Sequence, residues 1–377
     1  MAGEGRIDVT IELVDRRISG VSVASSRPLG VWKALEHRAV DEALTLAPLM
    51  SSICSTAHGV AGLRACEDAL GVEIDGAEVA AREALVAAEV LQNHLWFWLL
   101  TAPELMGEPP RMTELRQVRA QLSEVLSAMG VKGGWVRLGG ARRTPDDARL
   151  ERSLAMLDTA LASLGVAAAA PPFFEHLTRI TGPIGAVFRT VLNAPVAMAG
   201  VTAVLDSSYD ARAVAAALRA APGFAARPGP MELGPLVTAR QHPLVREATR
   251  CLGHGVGARL VARYVETCAA AESLHHFAQN LQAGGLRSVT PNARGQGFGV
   301  ASTSRGPVLH AVEVEQGQIV AWRVVAPTEW TFHPEGAVRE ALLGLTAPDV
   351  HLAVLWARWV VATLDPCVEC GVLVRET

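Results

Sequence analysis

Residues 6–14 alternate with a period of two: Ile7, Val9, Ile11 and Leu13 face one way, Arg6, Asp8, Thr10 and Glu12 the other. That is the pattern of a half-buried strand. It breaks between Ser25 and Pro28. A helical period then takes over: Val60, Leu63, Cys66 and Leu70 recur at helical spacing and stop at Gly71. Residues 77–100 continue in the same style, and Leu115, Val118, Leu122, Val125, Leu126 and Met129 make another apolar stripe. Further helices are predicted at 148–164, 183–203 and 210–221. Leu260, Val261, Tyr264, Val265, Cys268, Leu274, Phe277 and Leu281 mark one long helix. The run from Gly130 to Pro145, rich in Gly and Arg, reads as an exposed loop, residues 284–306 as glycine-rich irregular chain, and 222–235 as the main internal joint. Residues 307–326 read as a hairpin, with Val308, His310, Val312 and Val314 before a turn at Gln316-Gly317 and a return strand from Ile319 to Val325. A helix follows Gly336, and an apolar segment runs from 349 to 364. The expected class is an α-rich α+β protein, a single domain over 1–377 whose small sheet is built from the N-terminal strand and the late hairpin.

Composition narrows the function classes. Half of the 377 residues are apolar, enough for a large core, and the net charge of −4 leaves no nucleic-acid footprint. The mean hydropathy of +0.25 raises the question of a membrane. The greasiest runs, Leu95–Leu100, Val196–Leu205 and Leu352–Leu364, are all shorter than the roughly 18–20 residues a span requires, and the last contains Arg358. No apolar signal core follows Met1, so a cytoplasmic protein with buried helices is expected. Six cysteines in so long a chain point to thiol or metal chemistry in a reducing compartment, not to a disulfide framework.

The candidate chemistry sits at the two ends. Asp365-Pro366-Cys367-Val368-Glu369-Cys370 supplies two thiolates, and a metal site needs about four donors. Cys54 and His58 stand four apart, on one face if residues 53–70 are helical. Together these give three sulfurs and one imidazole, a known zinc set, although zinc ligand pairs usually clamp short local loops. A redox role for the C-x-x-C lacks the surrounding βαβ pattern. Cys66, Cys251 and Cys268 fall on apolar helix faces and read as inert buried thiols. Arg305-Gly306 before the hairpin and Pro327-Thr328-Glu329-Trp330 after it could aim a guanidinium and a hydroxyl into one cavity; the plainer reading is a surface Arg and a turn Thr.

Taken in order, these residues resemble the large subunit of [NiFe] hydrogenases along most of the chain. That family carries an early R-x-C-G-x-C-x-x-x-H and a terminal D-P-C-x-x-C-x-x-H around a nickel–iron centre. Here the early motif reads Ser51-Ser52-Ile53-Cys54-Ser55-Thr56-Ala57-His58, and Arg64 to Gly71 is similar to the family's R-A-x-E-D-A-L-G. Arg305-Gly306 and Pro327-Thr328-x-Trp330 match its later R-G and P-[ST]-x-W. The departures are instructive. Ser51 replaces a cysteine that in the family binds nickel. Trp32, in Leu29-Gly30-Val31-Trp32, and Leu373 stand where the family has a magnesium-binding Glu and His. The N-terminal R-x-E-G-H of the proton relay has no clear counterpart, Glu4-Gly5 matching only with a gap. The chain stops soon after Leu373, without the removable extension of the family's precursors.

That pattern of loss resembles the hydrogenase accessory family called HupK or HoxV. The resemblance implies a hydrogenase large-subunit-like helical body and a non-catalytic maturation scaffold that transiently holds the Fe(CN)2(CO) fragment of the [NiFe] site. By resemblance Cys54 and Cys370 bind the iron and Cys367 helps receive it. His58 hydrogen-bonds a cysteine sulfur, Arg305 and Thr328, beside Pro327, hydrogen-bond the cyanides, and a hard Ser51 hydroxyl disfavours nickel. No resident nickel or magnesium is expected. The implied partners are small assembly chaperones and the immature hydrogenase large subunit, not nucleic acid or membrane. The alternatives are a divergent catalytic hydrogenase, a zinc-stabilised interaction module, and a respiratory-complex subunit, disfavoured because such relatives lack the cysteines.

Overall fold

The alternation at the N-terminus makes strand β1 (Arg6–Val14), whose Ile7, Val9, Ile11 and Leu13 are all buried. The computed structural model describes residues 5–28, 30–131, 133–141, 143–171, 174–202, 232–281 and 295–376. β1 turns at Asp15-Arg16, both at positive φ, into antiparallel β2 (Arg17–Ser25). Positive φ at both turn residues is what a tight hairpin needs to match the strand twist.

The helical body follows. Helices α1 (Val40–Leu46) and α2 (Ser55–Leu70) lead to α3 (Gly76–Trp96), which runs on as a π-helical turn over Phe97–Thr101. An antiparallel pair is made by α4 (Met112–Ala128) and α5 (Asp147–Leu164). Helix α6 (Gly182–Val191) is shorter than the 183–203 pattern predicts, because Pro195 cannot continue a helix and opens a separate single turn. After α7 (Pro243–Leu252) comes the long α8 (Val256–Gln279), which packs along α3 through the centre of the core. The helix expected at 210–221 and most of the joint expected at 222–235 lie outside the described residues.

Two three-stranded sheets are present among the described residues, where one was expected. Strands β3 (Gly295–Thr303), β4 (Gly306–Glu315) and β5 (Gln318–Val325) form an antiparallel meander. Helix α9 (Val350–Leu364) then leads to β6 (Glu369–Glu376), which pairs in parallel with β1, Ile7 opposite Cys370 and Leu13 opposite Glu376. The N-terminal strand therefore joins the tail, not the hairpin.

Three further expectations are corrected. The glycine-rich stretch before the hairpin is not irregular throughout, since β3 occupies its second half. A Cβ on Gly295, Gly297 or Gly299 would lie 1.9–2.1 Å from the carbonyl oxygens of Ala69, Ala65 and Ala61, so these glycines let the strand lie directly on α2. The 130–145 loop is not simply exposed. Arg143 turns inward to the buried Glu78 carboxylate, which also holds Arg82, and Gly139 N–H donates to Glu67 at 3.0 Å. Cys66 and Cys268 are buried, but Cys251, in the last turn of α7, is exposed. Among the described residues no helix is long and apolar enough to cross a membrane.

Candidate functional site

A cavity of about 80 Å³ opens between the start of α2, the β3–β4 turn, the short helix Pro327–Thr331 and the tail. A single water takes roughly 10–15 Å³ on this scale, so the space suits a cluster of several small ligands. Its lining includes Ser51, Cys54, His58, Arg305, Pro327, Thr328 and Cys367. Seven of the eight residues singled out in the sequence are thus brought together. The eighth, Cys370, is half-buried at the start of β6 opposite Ile7 and is not among the lining residues. Among the described residues no group of three or more His, Cys, Asp or Glu side chains is arranged to hold a metal ion.

Cys54 is the residue that introduces α2, and its N–H reaches the Ser51 hydroxyl at 3.4 Å. The first N–H groups of that helix are already spent. Glu89, from α3, accepts from Thr56 at 2.7 Å and Ala57 at 3.0 Å. The sulfur receives its donation instead from Arg305, whose Nη1 is 3.4 Å away. Burial pushes the Cys54 thiol up to about 12, with Arg305 pulling the other way. Burial likewise pushes Cys370 up to about 12.

Arg305 itself is fixed from behind. Its Nε donates to the Asp365 carbonyl at 3.0 Å, its Nη2 to the Asp365 carboxylate at 3.1 Å and its Nη1 to Ser304 at 3.1 Å. A guanidinium carries five N–H donors. Among the described residues one Nη2 hydrogen is left over. Asp365 closes α9 in a left-handed conformation and also binds Arg263 at 3.2 Å. Burial alone would raise the Asp365 carboxyl, but the two guanidiniums overcome it and hold the group below its ordinary value. Burial would lower Arg305, and Asp365 and Cys54 reverse that, so the cation is secure.

Thr328 lies in the first turn after Pro327, 3% exposed, and among the described residues its hydroxyl has no hydrogen-bond partner. A buried, unanswered hydroxyl costs about 1–3 kcal/mol, which a ligand acceptor in the cavity would recover. The Thr328 hydroxyl is therefore a donor open to an acceptor-rich ligand in the cavity that Arg305 and Cys54 also line.

On the other wall, His58 Nδ1 is 2.8 Å from His310 Nε2, and Trp322 Nε1–H donates to His310 Nδ1 at 3.1 Å. Trp32 stacks on His58 with ring centroids 4.9 Å apart. Burial, then the Arg27 charge, holds His58 down at about 3, and burial holds His310 well below the ordinary range. Sequence reading assigned no role to His310, Trp322, Glu89, Asp365 or Arg263. Only Asp365 carried a signal, as the first residue of the terminal motif, while the others look like ordinary helix or strand positions.

The comparisons with known proteins agree with one another. A family model described as nickel-dependent hydrogenase matches residues 244–373. The chain is 30% identical to a hydrogenase expression/formation protein HupV of Azotobacter chroococcum mcd 1 over 97% of both chains. It is also 30% identical, again over 97% of both, to a hydrogenase expression/formation protein HupK of Azotobacter vinelandii. In fold it is similar to the Ni-Fe-Se hydrogenase of D. vulgaris Hildenborough, with a TM-score of 0.72 at 17% identity and 94% of each chain covered.

Proposed function

The chain belongs to the HupK/HupV family of hydrogenase expression/formation proteins, and we propose that its part in hydrogenase maturation is to hold and pass on the Fe(CN)2(CO) fragment. The observation that carries this reading is the unanswered Thr328 hydroxyl in a cavity that Arg305 and Cys54 also line. Cyanide bound to iron keeps a basic nitrogen and accepts hydrogen bonds. Carbonyl accepts them poorly, and the apolar lining from Val308 and Ala326 offers it a wall without donors.

Each protein residue has a physical task. Cys54 gives up its proton and supplies a thiolate beside a fixed cation. Cys367 lines the cavity from the tail. Cys370, three residues on and paired with Ile7, becomes the second sulfur when the first residues of β6 part from β1. His58 donates to a ligating sulfur and lowers its electron release. Ser51 offers a hydroxyl already engaged by the Cys54 backbone, a poor nickel ligand beside soft thiolates. The protein is a scaffold and not an enzyme, with no resident nickel or magnesium. Its partners are small assembly chaperones and the immature hydrogenase large subunit.

Infrared spectroscopy with metal analysis, on protein isolated from its native host without air, tests this. Iron with cyanide and carbonyl bands and no nickel is expected. Stoichiometric nickel with hydrogen-dependent dye reduction overturns it in favour of a catalytic hydrogenase. One zinc per chain with no such bands overturns it in favour of a zinc-stabilised module.

A further inference from the structure

We infer that Trp322 and His310 are positioning residues that set the proton of His58 on Nε2, so that it always presents an N–H, never a bare nitrogen, to the cavity. The inference deepens the reading of His58 as donor to a ligating sulfur and rests on it for its purpose, though not for its geometry.

The polarity of the relay follows from its far end. An indole N–H can only donate. Trp322 donates to His310 Nδ1 at 3.1 Å, so that nitrogen carries no proton. A neutral His310 must then be protonated at Nε2, which faces His58 Nδ1 at 2.8 Å. His58 Nδ1 is therefore the acceptor, and its own proton sits on Nε2. The reverse arrangement would set a second N–H against the Trp322 indole, and so would a His310 cation. Every step is buried: His58 is 7%, His310 0% and Trp322 1% exposed.

The surroundings hold the rings to these roles. Trp32 stacks on His58 at an interplanar angle of 25° and meets His310 edge-on, which fixes both ring planes. Gly62 leaves the room they need, since a Cβ there would lie 2.9 Å from the Trp322 ring and 3.5 Å from His310 Nδ1. Trp32 occupies the place the hydrogenase resemblance gives to a magnesium-binding Glu. Here an apolar ring braces the relay instead. A fixed single donor matters because a ligating thiolate has only lone pairs to offer. A histidine free to turn its bare nitrogen toward the sulfur would repel it.

Histidine 15N NMR on cargo-free protein tests the relay directly. Protons on Nε2 of both His58 and His310, with a through-bond coupling from His310 Nε2–H to His58 Nδ1, are expected. A proton on Nδ1 of either ring overturns the inference. His310→Gln and His310→Phe give the second readout, in protein carrying iron. A Gln amide can accept from Trp322 with its oxygen and donate to His58 with its nitrogen, so His310→Gln keeps native cyanide and carbonyl frequencies. His310→Phe breaks the relay, loosens the donation to sulfur and moves the bands to lower wavenumber as iron gains electron density. Unchanged bands in His310→Phe, or equal shifts in both variants, overturn the positioning role. The expected protonation in a native protein that never shows cyanide bands removes the cargo reading and leaves the relay standing.

Discussion

Arg305 spans the gap between the Cys54 sulfur, 3.4 Å from its Nη1, and the Asp365 carboxylate, 3.1 Å from its Nη2. One guanidinium thus ties the start of α2 to the end of α9 as a structural clamp, and on the proposed reading it also donates to the ligand. Arg305→Leu leaves Asp365 with Arg263 alone, and breaking a buried pair costs about 3–5 kcal/mol. A lower denaturant midpoint and loss of cargo on purification are expected. Full iron loading in Arg305→Leu rules out the cyanide contact.

Thr328→Val has opposite signs in the two states. The hydroxyl is unpartnered among the described residues, so replacing it with a methyl of the same shape leaves the free protein as stable as before or up to about 1–3 kcal/mol more stable. The same change removes a donor to cyanide, so one cyanide band shifts and cargo is released faster. A thermal melt and an infrared spectrum of the same preparation check both. A Thr328→Val protein that is strongly destabilised contradicts the open hydroxyl.

Cys54→Ala and Cys370→Ala should each abolish the iron-fragment bands while the chain remains folded, because neither thiol bridges to another cysteine. Circular dichroism and infrared spectra read the two halves of the claim. An unchanged cyanide and carbonyl spectrum in both variants removes the sulfur assignment.

Acid should loosen the His58 wall. The folded-state value of His58 is about 3, below the ordinary 6.5, and that of His310 is lowered too. Between about 6.5 and 3 the unfolded chain binds protons that the folded His58 refuses, so this stability is present above pH 6.5 and drains away as pH falls. One such group loses at most about 1.4 kcal/mol per pH unit. Denaturant midpoints measured from pH 7 to 5 should fall in cargo-free protein, and less steeply in His310→Gln, which removes one of the two titrating rings. Equal slopes in both proteins remove His310 from this account.

Gly297→Ala should be costly, because the new Cβ would meet the Ala65 carbonyl at 2.1 Å. Overpacking of this kind costs about 1–3 kcal/mol or more. Gly76→Ala, at the start of α3 with nothing within 4 Å, is the control and should be neutral or stabilising by about 0.4–1 kcal/mol. Thermal melts of the pair check the contrast.

The helices at 112–128, 147–164, 256–279 and 350–364 were legible because each buries one continuous stripe, which periodicity reports directly. β3 was not, for a physical reason. The first three of its core-facing positions are Gly295, Gly297 and Gly299, which carry no side chain to show an alternation, and what they contact is the Ala61, Ala65 and Ala69 face of α2. The partner of β1 was not legible because β6 reads as five apolar or small residues between charges, with the chemistry of Cys370 in the foreground. At the site, the motifs picked out seven residues that line the cavity, and Cys370, which does not. The atoms that fix those residues were silent: His310 is one more strand residue, Glu89 one more helix glutamate, and nothing in their spacing tells that they meet His58 and the first turn of α2.

The parallel pairing of β1 with β6 has a consequence for biosynthesis. The strand made first can complete its sheet only with a strand translated more than three hundred residues later, Ile7 beside Cys370. Until residues 367–376 are made and free to fold, β1 has an open edge where the tail will lie and the cavity wall lacks Cys367. The wall that Cys367 supplies is thus the last part of the cavity to be made, and the site closes only after the rest of the core is in place.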